Sequence, residues 1–136
     1  MGYSLGIYRF LDGELAEPDM DVVRAVLAPV RARPEPADDR DTAYWIRAGD
    51  GSEAEVDVHE KVVCVHRPGV GDVWKTIIEL TDRLGAAIDL PSGGFLCPEG
   101  MRAHLPEGTE EDSVFVPAIT LAAFERAAGP FTHPLT

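Results

Sequence analysis

Alternating apolar and polar positions indicate a strand early in the chain and a helix after it. Residues 3–10 place apolar side chains on both faces, as a mostly buried strand does. From Pro18 an apolar pattern with helical spacing runs to Leu27, and Pro29 is expected to end the helix. The first predicted unit is therefore a strand followed by a helix.

Three short runs of extended character follow, at 43–48, 53–58 and 62–66. Short polar segments separate these runs, a spacing that is typical of consecutive hairpins. The middle run alternates strictly, so its polar residues share one face of the predicted strand: Glu53, Glu55, Asp57 and His59. The sequence therefore predicts a three-stranded meander with one polar, solvent-facing side.

A second helix is predicted between Asp72 and Gly85. Its apolar residues recur at helical spacing: Val73, Ile77, Leu80 and Leu84. Asp72 is expected to cap the N-terminus of this helix, and Gly85 is expected to end it in the left-handed conformation.

The C-terminal part of the chain predicts shorter elements. Residues 86–90 favour another strand, and residues 95–98 are expected to approach or re-enter the sheet after a glycine loop. Residues 114–117 favour an edge strand, because a proline at its end cannot donate a further ladder hydrogen bond. Thr120 is expected to cap a last helix.

Together these elements predict an α+β domain, an antiparallel-dominated sheet with two helices on one face. The nearest named architecture is a ferredoxin-like split βαβ arrangement with an extra hairpin strand. The chain, 1–136, is predicted to be a single domain. Within it, 31–42 is expected to be a flexible, acidic, Pro-rich loop and 99–136 a C-terminal appendix with a short strand and a helix.

Charge restricts the classes of partner. The 136 residues include 24 Asp and Glu against 12 Lys and Arg, a formal net charge of −12, and residues 35–60 alone carry −7. Binding to nucleic acid or to an anionic membrane surface needs an excess of basic side chains, so both are disfavoured. No apolar stretch approaches the length of a membrane-spanning helix.

The cysteines and the missing motifs disfavour several kinds of chemistry. Cys64 and Cys97 lie 33 residues apart and form no CxxC pair, so neither a disulfide framework nor a zinc site is predicted. Reduced thiols and a cytoplasmic location are expected. The motifs GxSxG, HExxH and DxDxDG are absent, and no catalytic residue, metal or cofactor is predicted.

The acidic face of the middle strand is the first candidate site. Glu53, Glu55 and Asp57 form a row suited to a basic protein partner, and a merely solvated face is the alternative. Trp74 lies beside the apolar stripe of its helix, so it is a candidate anchor at the same kind of interface, with core packing as the alternative.

The loop that contains Gly93 and Gly94 is the second candidate site. Glycines let backbone N–H groups approach a ligand, which favours a small-ligand site, and a plain connecting turn is the alternative. In an enzyme built around this loop, the reactive group would be His66, His104 or Cys97.

Size and local charge favour a non-enzymatic, acidic protein-binding module that engages a basic partner protein. In both respects the chain resembles the small acidic immunity proteins of bacterial toxin systems, and this resemblance implies an inhibitor that covers the basic active site of a nuclease. Two alternatives stay open: an enzyme or small-ligand-binding protein that uses the glycine loop, and an accessory domain that forms a homodimer through a sheet edge.

Overall fold

The predicted strands and helices occur in the predicted order, and one further short strand, Glu14–Ala16, lies between the first strand and the first helix. The computed structural model describes residues 4–32, 43–90 and 93–128. The strands in these ranges are β1 Ser4–Leu11, β2 Glu14–Ala16, β3 Ala43–Arg47, β4 Glu53–His59, β5 Val62–His66, β6 Ala87–Asp89, β7 Phe95–Pro98 and β8 Val114–Val116. The α-helices are α1 Met20–Leu27, α2 Val73–Arg83 and α3 Leu121–Ala128, and short 3₁₀ helices span Ala28–Val30, Glu99–His104 and Glu110–Asp112.

One sheet holds the strands in the order β3-β4-β5-β1-β6-β7-β8, and β2 pairs with the C-terminal end of β1. Neighbouring strands run antiparallel, apart from β7 and β8, which run parallel. The predictions of a mixed α and β fold and of a largely antiparallel sheet are confirmed. Of the predicted loop 31–42, all but Arg31 and Ala32 lies outside the described residues.

The α-helices share one hydrophobic core with a single face of the sheet. The strands contribute every second residue to this core, as Leu5 and Ile7 of β1 do. The sequence pattern predicts two helices on this face, and the structure adds α3. α3 belongs to this core, since its Phe124 is fully buried and stacks on Trp74 of α2, with ring centroids 5.2 Å apart.

The segment predicted as a C-terminal appendix contributes to both the sheet and the core. β8 extends the sheet beside β7, and Ile119 is 3% exposed. The backbone N–H of Ile119 donates to Asp82 Oδ1 of α2 (3.1 Å). Thr120 Oγ1 accepts from the N–H of Ala123 (3.1 Å), as the predicted cap requires.

A smaller core lies on the opposite face of the sheet, at β6 and β7. Ala87, Cys97 and Met101 are buried there together, and the 3₁₀ helix Glu99–His104 contributes Met101. This 3₁₀ helix contacts β1, β7 and β8. The outer face of β4 and β5 is solvent-accessible, since its polar side chains are partly exposed.

The N-terminus of α2 is capped by the β3–β4 turn and not by Asp72. Asp72 makes no side-chain capping hydrogen bond, and its carboxylate lies 3.5 Å from Lys75 Nζ. Asp50 Oδ2 accepts from the N–H of Asp72 (2.9 Å), and Ser52 Oγ accepts from the N–H of Val73 (2.9 Å). The predicted side-chain cap is therefore wrong, because the turn supplies acceptors that a local sequence pattern cannot reveal.

This cap gives a first testable prediction. Ser52→Ala removes the acceptor for the Val73 N–H and is expected to lower the free energy of unfolding by about 1 kcal/mol. Asp72→Ala removes only an exposed ion pair and is expected to change it by less than about 0.5 kcal/mol. Urea denaturation of both variants measures the difference. A larger loss for Asp72→Ala would contradict the observed cap.

Candidate functional site

Ionisable side chains are concentrated on the outer face of β4 and β5. Strand alternation directs the polar residues of these strands away from the helix-packed core. Five of them are partly exposed: Glu53, Glu55, Asp57, Cys64 and His66. The structure therefore places the whole predicted acidic row, with a thiol and an imidazole beside it, on one solvent-accessible surface.

The carboxylates of the acidic row differ in how far they are neutralised within the chain. Glu53 Oε2 accepts a hydrogen bond from Arg47 Nε (2.8 Å), and Asp57 pairs with a histidine of β5. Among the described residues, Glu55 makes no hydrogen bond or ion pair. Its charge is therefore the most available of the three to an incoming partner.

A thiol, an imidazole and a carboxylate meet at one point of this face. His66 Nε2 lies 3.2 Å from Asp57 Oδ2, and its Nδ1 lies 3.2 Å from Ser4 Oγ. Asp57 is directly opposite Cys64 in the β4–β5 pair. One ligand-type atom from each of Asp57, Cys64 and His66 lies within 4.8 Å of the others. These three residues are called the outer-face cluster below.

The environment of Cys64 keeps its thiol protonated. Burial raises the pKa of the Cys64 thiol, and the negative charges of Asp57 and Asp89 raise this pKa further. A nucleophilic cysteine needs the opposite surroundings, because positive charge is what stabilises a thiolate. The geometry thus gives no support to a nucleophilic Cys64–His66 pair.

A half-buried hydrogen-bond network lies next to the cluster, between β1 and β6. Asp89 Oδ2 accepts from the N–H of Gly6 (2.8 Å) and from the Tyr8 hydroxyl (3.1 Å). Burial raises the pKa of Asp89 and outweighs these hydrogen bonds. Burial and the charge of Asp89 raise the pKa of Tyr8 to about 12. A Cβ at Gly6 would lie 2.5 Å from Tyr8 Oη, so a larger residue at this position would displace the Tyr8 ring.

Trp74, predicted as a partner-binding residue, is a core residue. Its side chain is 1% exposed and stacks on Phe124 between α2 and α3. A side chain enclosed in this way cannot contact a partner without unfolding its surroundings. The interface role predicted for Trp74 is therefore wrong, because α3 covers the side of α2 that the sequence pattern left open.

Gly93 and Gly94 line an open cleft of about 230 Å³. The lining includes the carboxylates of Asp89 and Asp112 and, among the described residues, no basic side chain. Gly94 is held against the backbone of Asp112, where a Cβ would lie 1.9 Å from the carbonyl oxygen. Close packing of the backbone thus accounts for Gly94, and the acidic lining disfavours an anionic ligand.

The reactive groups considered for an enzyme do not meet at the glycine loop. Cys97 is fully buried, and burial raises the pKa of its thiol to about 11. The Nδ1 atom of His104 accepts from the N–H of Asp12 (3.1 Å). His66 belongs to the outer-face cluster on β5. The structure thus distributes these groups over separate environments.

Sequence reasoning missed two features of this surface. Asp57 meets Cys64 because a two-residue turn after His59 fixes the β4–β5 register, with His59 opposite Val62. The sequence pattern indicates a turn between these strands but does not fix its length, which decides the residue opposite Asp57. The contact of Tyr8 with Asp89 spans 81 positions of the chain, and no local signal announces it.

Comparison with known proteins finds no relative. No protein-family model, no curated protein and no solved structure matches the chain. Within the described ranges, no helix is both long and apolar enough to cross a bilayer.

Proposed function

We propose that this chain is a non-enzymatic, acidic protein-binding module whose outer sheet face engages a basic partner protein. One observation carries the proposal: Glu53, Glu55 and Asp57 form a row of partly exposed carboxylates on the face opposite the helix-packed core. Alternate residues of a strand are about 7 Å apart, so the row presents a line of negative charge. The net charge of −12 adds long-range attraction for a cationic surface.

A small cleft on the same face suits one cationic side chain of the partner. Its volume is about 110 Å³, and its lining is Trp45, Glu53, Ala54, Glu55, His66 and Arg67. An ammonium or guanidinium group that enters it would contact the indole of Trp45 and pair with Glu55. Both contacts favour a basic residue over an acidic or apolar one, whereas the positive charge of Arg67 in the same lining opposes it.

The sharper form of the proposal is an immunity-type inhibitor that covers the basic active site of a nuclease-like partner in the cytoplasm. Such active sites hold successive phosphates with Lys and Arg, and a regular row of carboxylates offers the same sign of charge. Cys64 and Cys97 are both free thiols, which supports a reducing compartment.

We also propose a ferredoxin-like core for the fold. The order β6-β1-β5-β4 supports it, because α1 lies between β1 and the meander and α2 connects β5 to β6. β3 is then the extra hairpin strand, and β7 and β8 extend the opposite edge. This arrangement leaves the outer face of β4 and β5 free for a partner.

Charge reversal at Glu55 tests the proposed function. The tagged protein is expected to retain a basic partner from native-host lysate at low salt, and mass spectrometry of a salt-gradient eluate would identify that partner. Titration calorimetry of the purified pair then measures affinity. Glu55→Lys is expected to weaken binding about 10- to 100-fold, because attraction becomes repulsion at a carboxylate that makes no hydrogen bond or ion pair with the described residues.

Glu79→Lys is the matched control, since it makes the same charge change at an exposed position of α2 on the other side of the sheet. It is expected to change the affinity less than about threefold. Equal losses of affinity for Glu55→Lys and Glu79→Lys would show that binding depends on net charge and not on the outer sheet face. Retention of only scattered proteins that elute at low salt, or of the chain itself as a homodimer, would contradict the proposal.

A further inference from the structure

We propose that the outer-face cluster, Asp57, Cys64 and His66, binds a divalent transition-metal ion of the Zn²⁺ class. The three residues offer one sulfur, one nitrogen and one oxygen, and these atoms lie within 4.8 Å of one another. The sequence alone predicts no metal site, because these residues follow none of the usual ligand spacings. The inference does not depend on the proposed protein-binding function.

The distances within the cluster already approach those of a metal site. In a tetrahedral Zn²⁺ site, bonds of about 2.0–2.3 Å place neighbouring ligand atoms about 3.3–3.6 Å apart. His66 Nε2 and Asp57 Oδ2 are 3.2 Å apart, so an ion can replace the hydrogen bond between them with little movement of either side chain. Cys64 completes three ligands by a rotation of its thiol toward the other two.

The ligand types select the class of ion. A thiolate and an imidazole favour Zn²⁺ and its neighbours in the transition series, whereas Ca²⁺ and Mg²⁺ require oxygen ligands. A single carboxylate does not supply the six or more oxygens of a calcium site. The cluster therefore discriminates against the two most abundant divalent cations of the cell.

The surrounding structure holds the cluster in place. Asp57 and Cys64 are paired across two strands in the interior of the sheet, and His66 follows Cys64 on the same face. His66 Nδ1 is 3.2 Å from Ser4 Oγ, which lies on β1. With Nε2 on the metal, the Nδ1–H donates to Ser4 Oγ and fixes the orientation of the ring.

Exposure leaves room for a fourth ligand. The side chains of Asp57 and His66 are each 34% exposed, so water or a group of another molecule can approach the ion from solvent. Three protein ligands with one open position are typical of zinc sites that bind or activate a small molecule, whereas structural sites are closed by four.

Cobalt substitution and calorimetry test the site directly on the untagged protein. Addition of Co²⁺ is expected to produce thiolate-to-cobalt charge-transfer absorption and the visible bands of a tetrahedral ion, and Zn²⁺ is expected to displace it. Cys64→Ser is expected to abolish the charge-transfer band and to weaken Zn²⁺ binding about 100-fold. His66→Gln is expected to weaken it at least about tenfold.

His59→Gln is the matched control, because His59 is an exposed histidine of the same strand as Asp57 and lies outside the cluster. The Zn²⁺ affinity of the His59→Gln variant is expected to equal that of the wild type. Absence of the charge-transfer band, or Zn²⁺ affinity that survives Cys64→Ser, would overturn the proposal. Far-UV circular dichroism of each variant confirms folding. If the protein binds Zn²⁺ at the cluster but retains no basic partner, the proposed protein-binding function is refuted and the metal site is not.

Discussion

Trp74→Ala is expected to lower the free energy of unfolding by about 3–5 kcal/mol. The indole is 1% exposed and stacks on Phe124, so truncation leaves a cavity between α2 and α3. The surrounding side chains relax only partly into such a cavity, which adds to the lost burial of apolar surface. Urea denaturation followed by far-UV circular dichroism measures the change without relying on tryptophan fluorescence.

Trp45, the other tryptophan of the chain, provides the matched control. It lies partly exposed on β3 and donates a hydrogen bond to Glu53. Trp45→Ala is therefore expected to lose only about 1–2 kcal/mol. Equal losses for the two variants would contradict the enclosure of Trp74 by α3.

A binding measurement distinguishes the two alternatives for Trp74, a core residue and an interface anchor. Trp74→Phe keeps an aromatic ring against Phe124 and is expected to bind a basic partner with wild-type affinity, since the ring is not accessible to that partner. A folded Trp74→Phe variant with weakened binding would restore the interface role that the sequence suggested.

The apolar periodicity of α2 predicts some of the buried residues of this helix but not all of them. The apolar stripe from Val73 to Leu84 correctly predicts which side faces the sheet. It does not reveal that Ile78 and Trp74 are buried as well. Trp74 stacks on Phe124 of α3, which lies fifty positions later in the sequence. Contacts between distant elements are not encoded in a local pattern.

Local sequence likewise predicts one part of the candidate site and does not predict the other. Glu53, Glu55 and Asp57 share a face because side chains alternate along any strand, and this rule needs only local sequence. The outer-face cluster needs, in addition, the register of β4 against β5, and Ser4 joins only through the pairing of β5 with β1. Each added strand introduces a choice of register that the sequence pattern alone left open.

Gly94→Ala is expected to lower the free energy of unfolding by about 2–5 kcal/mol, from two independent causes. The residue has a φ of +74°, a conformation that disfavours every residue with a Cβ. The new Cβ would also lie 1.9 Å from the carbonyl oxygen of Asp112, and a backbone atom cannot move aside as a flexible side chain can. Relief of the contact would displace the segment that precedes β8.

Gly93→Ala isolates the first of these causes. Gly93 has a φ of +100°, and a Cβ there would meet no atom of the described residues within 4 Å. Its loss is expected to be only about 1–2 kcal/mol, the cost of the backbone conformation alone. Urea denaturation of the two variants measures the difference, which is the contribution of the contact with Asp112. Equal losses would show that this contact relaxes freely, and the packing explanation for Gly94 would then fail.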